Sequence, residues 1–222
     1  MKTKKMLIIL SFLMIFSGYS LLMARPPAPV PTGTTPTLYG GECLDPGTMV
    51  IGATAGYPKT SFNLYWGIGK NFDFGLQTGF TYNAGLGGNR QWIGLDVHLP
   101  LRWTLFRKAR VAGGLRVSPY FMIGDGRPSV SCGADVGFLI DIALPKIFKI
   151  IVGPEVRSGF ATLGGTDIAG YDGGAWVNFG IETLLAKRFF LGVVLHGGAL
   201  WGTGGLGLQG VFRTNLVFGA RL

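Results

Sequence analysis

The chain has 222 residues, is 48% hydrophobic but only 14% charged, and carries a formal net charge of +9 with 38 glycines. No segment beyond the N-terminus reaches the roughly 18 consecutive apolar residues of a membrane helix. The basic residues are scattered among apolar runs and form no stripe, which argues against nucleic-acid binding. What remains is an apolar chain, long enough for one domain, whose hydrophobic residues must be organised by strands.

Residues 1–24 have the form of a secretory signal peptide. Lys2, Lys4 and Lys5 make a positive start, residues 6–16 an apolar core, and Ser20 or Ala24 the cleavage position. An uncleaved anchor helix is the alternative, since residues 6–24 are just long enough to span a bilayer. Loss of the three lysines leaves 17 basic against 11 acidic residues, or +6. Residues 25–46 include Pro26, Pro27, Pro29, Pro31 and Pro36. They read as an extended periplasmic tail with no core of its own, a plug or tether being the less favoured reading.

From residue 47 the chain reads as strands at 48–57, 62–69, 72–83, 91–105, 110–123, 129–144, 149–162, 175–185, 188–201 and 207–222. Most have the 9 to 11 residues that a tilted strand needs to cross hydrocarbon. The connections alternate. Those at 70–71, 106–109, 145–148 and 186–187 are short and basic, whereas 84–90, 125–128, 164–174 and 202–206 are rich in Gly and Asp. Residues 58–61 join the second set. Pro100, Pro119 and Pro154 fall inside predicted strands, where each removes a ladder hydrogen bond.

Side chains on a strand alternate between two faces. Within these spans every ionisable group takes one parity: Asp73, Asp96, His98, Arg102, Arg110, Arg116, Asp135, Asp141, Lys149, Glu155, Arg157, Glu182, Arg188, His196, Arg213 and Arg221. The other parity is aliphatic or aromatic, as with Phe74, Leu76, Phe80 and Tyr82, or Val136, Phe138, Ile140 and Ile142. An apolar face repeated in so many strands is hard to hide in one domain. The economical solution is an all-β, antiparallel up-and-down transmembrane barrel of ten strands spanning 47–222, with lipid outside and charge inside. Eight strands is the structural alternative, and a soluble lipocalin-like barrel the alternative of different class.

The last strand places Phe212, Leu216, Phe218 and the terminal Leu222 on one parity. This resembles the C-terminal strand of bacterial outer-membrane β-barrel proteins, the small porin-like barrels, although Leu222 stands where an aromatic is usual. The resemblance implies residence in the bacterial outer membrane, contact with its lipid and recognition by the barrel-insertion machinery.

In so narrow a barrel side chains nearly fill the interior. The eight basic and six acidic groups, near +2, then pair into a salt-bridged lumen, because isolated buried charge is costly. This predicts a structural or surface-interaction role, with a periplasmic or surface partner left open. A narrow, weakly anion-preferring pore is the alternative, and a lipid-modifying enzyme the less favoured one. His98 and His196 face inward with Ser118, Ser129 and Ser131, but no motif fixes nucleophile and base within about 3 Å. Two histidines without a third ligand make a poor metal site. No catalytic, metal or cofactor site is therefore expected. Cys43 and Cys132 fall at opposite ends and faces and read as unpaired.

Overall fold

The computed structural model describes residues 37–57, 59–84, 91–124, 130–144, 148–162, 169–185, 188–202 and 209–222. The expected signal peptide and the first part of the expected tail lie outside these residues.

Eleven strand segments form one antiparallel sheet: β1 (Met49–Tyr57), β2 (Lys59–Gly69), β3 (Phe72–Ala84), β4 (Gln91–His98), β5 (Leu101–Lys108), β6 (Val111–Gly124), β7 (Val130–Ala143), β8 (Phe148–Thr162), β9 (Ala169–Leu184), β10 (Phe189–Gly202) and β11 (Gln209–Arg221). β4 and β5 lie end to end, each pairing with β3 on one side and β6 on the other. They are two halves of one staff, so the sheet has ten staves. β11 pairs with β1 from Val50↔Arg221 to Tyr57↔Thr214, which closes the barrel without an edge.

The three internal prolines sit where the ladder lapses. Pro100 separates β4 from β5, and Pro119 on β6 lies opposite that break, between the pairs His98↔Tyr120 and Leu101↔Val117. One interruption thus serves two prolines, and the Pro119 carbonyl accepts the Leu99 amide at 2.9 Å across it. Pro154 falls where the β7–β8 ladder skips from Gly137↔Glu155 to Ile140↔Val152. Parity survives the β4–β5 break, because Asp96, His98, Pro100, Arg102 and Thr104 are all buried. It does not survive the bulge at Leu105, after which Arg107 turns inward.

The exterior is apolar along its length. Phe80, Leu95, Val156, Phe160, Val177, Phe212, Leu216 and Phe218 are all exposed, while Asp73, Arg102, Asp141, Lys149 and Glu182 are buried in the bore. The usual arrangement of a soluble protein, charge out and aliphatics in, is reversed.

Candidate functional site: the filled lumen

The bore is occupied by the chain's own N-terminal segment. Residues 37–44 are buried inside the barrel apart from Tyr39, which is half-buried. Tail-like behaviour was the expectation for 25–46, and it does not describe this part of it. The segment joins no strand, so its backbone groups must find partners elsewhere. They find wall side chains. The Gly41 and Glu42 amides donate to the two carboxylate oxygens of Asp141 at 2.9 and 3.0 Å. The Cys43 amide donates to Thr104 Oγ1 and the Leu44 amide to Asp73 Oδ2, each at 2.7 Å. Arg102 Nη1 donates to the Thr37 carbonyl at 3.0 Å, and Arg107 Nη2 to that of Cys43 at 3.2 Å.

Packing completes the fit. Leu38 and Leu44 join Val50, Tyr65, Phe190, Val194 and Val217 in an apolar cluster within the bore. Gly41 lies flat against the wall. A Cβ there would stand 2.2 Å from the Leu139 carbonyl oxygen and 2.8 Å from the Gly114 nitrogen. Only glycine allows that approach.

The wall charges pair with one another and with the segment. Arg102 grips Asp73 through two parallel bonds of 2.8 and 2.7 Å, with no exposure of either side chain. Arg157 holds Asp135 in the same bidentate way at 2.7 and 2.9 Å. Arg116 pairs with Glu155 and Lys59 with Asp96. Lys149 lies 3.6 Å from Asp141 and 3.3 Å from Glu42, and Arg107 lies 3.2 Å from Glu42.

His196 is fixed from both sides. Nδ1 meets Asn178 Oδ1, and Nε2 lies 3.0 Å from Asn215 Nδ2. These contacts select the tautomer with the proton on Nδ1. Asn178 in turn donates to Glu155 Oε2 at 3.0 Å. His98 sits 3.1 Å from Asp96 and 3.7 Å from Asp135. Ser131 donates to Asp172 at 3.2 Å, as does the Tyr120 hydroxyl at 3.0 Å. Both histidines are thus tied to amides or carboxylates, and Ser131 is turned toward a carboxylate. Among the described residues no group of three His, Cys, Asp or Glu is placed to hold a metal ion.

Of the sixteen charged or titratable positions assigned to the lumen, Asp73, Asp96, His98, Arg102, Arg116, Asp135, Asp141, Lys149, Glu155, Glu182 and His196 are buried there. Arg157 and Arg213 flank the ring of Trp176 at 5.5 and 5.2 Å, which explains an inward-facing tryptophan. The other three belong to the rim. Arg110 lies in the turn after β5 and Arg188 is exposed before β10, while Arg221 reaches Thr48 Oγ1 at 3.1 Å beside the start of β1. Glu42, Lys59, Arg107 and Asp172 enter the bore instead. β2 starts at Lys59 rather than at residue 62, which brings Lys59 into the strand, and β9 starts at Ala169, which brings in Asp172.

Among the described residues the bore then holds seven cations (Lys59, Arg102, Arg107, Arg116, Lys149, Arg157, Arg213) against eight carboxylates (Glu42, Asp73, Asp96, Asp135, Asp141, Glu155, Asp172, Glu182), an excess of one negative charge. As formal charges among the described residues, this differs from the expected balance near +2.

Phe212, Leu216, Phe218 and Leu222 are all exposed on the outer face at the closing strand, and the Leu222 amide donates to the Met49 carbonyl at 2.8 Å. Cys43 is buried in the bore and Cys132 is exposed outside, both with free thiols. No protein-family model matches the chain, and no curated protein matches it significantly.

Proposed function

We propose that this chain is an integral protein of a bacterial outer membrane, exported by residues 1–24 and inserted through its last strand. Its barrel is sealed by ion pairs and by residues 37–45, and it serves a structural or surface-interaction role without catalysis. The observation that carries this reading is the burial of the N-terminal segment in a bore most of whose charges are paired. The apolar exterior supports lipid as the outer solvent, since water would penalise that surface.

Two measurements test it. In planar bilayers the protein should insert, shown by a gel mobility that changes on boiling, and pass no steady current at low potential. A steady ohmic current would favour the narrow pore instead. Separately, Leu216, midway along β11 between Val193 and Ala55, faces the proposed lipid. Leu216→Arg should cost about 2–4 kcal/mol in vesicles, the penalty for a cation near a bilayer midplane. A loss within about 0.5 kcal/mol, typical of a water-exposed site, would remove lipid from this face.

A further inference from the structure

Among the described residues, every ion pair between strand residues joins strands at most two places apart in the circular order. Arg102–Asp73, Arg157–Asp135 and Lys149–Asp141 join neighbours, whereas Arg116–Glu155 and Lys59–Asp96 reach over one intervening strand. These pairs run along the wall, where the longer Tyr120–Asp172 hydrogen bond reaches from β6 to β9. The segment adds links of equal or greater reach. The Glu42 carboxylate links Arg107 of β5 to Lys149 of β8. Tyr39 meets Thr54 of β1 through its hydroxyl at 3.3 Å, and its ring lies 5.8 Å from the Arg116 guanidinium of β6, four staves away.

The segment is also attached in a way that permits release. It contributes no ladder hydrogen bond, and the β1–β11 pairing closes the barrel without it. Its junction with β1 is exposed from Asp45 to Gly47, and Gly47 holds a φ of 77°, the left-handed region that glycine adopts freely. Most of its polar fastenings are wall side chains that water can satisfy once the segment leaves. Glu182 is buried on β9 beside Lys149 and the Thr37 side chain of the segment, and withdrawal of the segment would open its carboxylate to water.

We propose that residues 37–45 are a gate that turns about Gly47, and that its withdrawal through the inner mouth opens a hydrated passage lined by Asp73, Arg102, Asp141, Lys149 and Glu182. This rests on the membrane reading above and adds to it a gated conducting function. Glu42 carries a negative charge inside the bore, so a positive potential on the inner side draws the gate out and the opposite polarity holds it in.

The full chain carries its own reporter in Cys43, whose amide rests on the side chain of residue 104. The test uses Thr104→Cys with Cys132→Ser, so that Cys43 and the new thiol are the pair to be joined by diamide, and Cys132→Ser alone as reference. Boiling-dependent mobility and vesicle flotation establish folding and insertion of both. In planar bilayers the reference should show stepwise openings at inner-positive potential, and the oxidised lock should lose them and regain them on reduction. A membrane-impermeant maleimide should label Cys43 in the folded reference at least tenfold faster at inner-positive than at inner-negative potential. Openings that persist in the oxidised lock would show that the segment is not the gate. An inserted reference that neither opens nor labels at either polarity would make the segment permanent core. Failure to float with vesicles would overturn the membrane reading itself.

Discussion

Arg102→Met is expected to lower the stability of the folded barrel by about 3–5 kcal/mol, the cost of breaking a buried ion pair from one side. Arg102 and Asp73 are both fully buried and bonded twice to each other. The guanidinium also donates to the Thr37 carbonyl and lies 4.4 Å from the Tyr65 ring centroid. Methionine fills much of the volume but leaves Asp73 with the Leu44 amide as its remaining partner of note. Adding Asp73→Asn should restore part of the loss, because the orphaned charge is gone. Denaturant titration of the single and double variants in detergent or vesicles measures both terms. A loss below about 1 kcal/mol would mean that the pair is hydrated and the bore is open at this level.

Gly41→Ala should expel the segment while leaving the barrel closed. The added methyl meets the Leu139 carbonyl and the Gly114 nitrogen, both backbone atoms of neighbouring strands that cannot swing aside. Overpacking of this kind costs about 1–3 kcal/mol where it is absorbed. Here the cheaper response is for the segment to leave, since no ladder bond holds it. Cys43, 2% exposed in the native protein, should then react with water-soluble maleimide at the rate of an exposed thiol, with unchanged boiling-dependent mobility. The bilayer current should become constitutive. Protection of Cys43 equal to that of the native chain would show that the wall yields instead.

The sequence makes some of this legible for a definite physical reason. On β6, β7 and β8 the strict alternation of Arg116, Asp135, Asp141, Lys149 and Glu155 with bulky apolar residues reports two different environments on the two faces of one sheet. Parity carries no such information past a bulge, so Arg107 reads as a turn residue although Leu105 rotates it into the bore. Lys59 and Asp172 are obscured by neighbouring Pro58 and by the glycines at 173 and 174, which resemble loop composition yet are tolerated in a closed sheet. The gate is the least visible element. Its partners are its own backbone amides, which every residue type supplies, so Gly41 and Glu42 advertise nothing of their bonds to Asp141. Only Gly40 and Gly41 hint at close approach, and that hint acquires meaning once Gly114 and Leu139 are seen opposite.

In the proposed arrangement hydrocarbon surrounds the aliphatic face while the charged face encloses a sealed bore. Two native tryptophans separate these environments: Trp66 is 52% exposed on the exterior, and Trp176 is 6% exposed between Arg157 and Arg213. Variants that retain only one of them, the others replaced by Phe, can be reconstituted in vesicles containing lipids brominated near the headgroup. Strong quenching of Trp66 with little quenching of Trp176 is the predicted result. Equal quenching of both, or quenching of Trp176 alone, would contradict it.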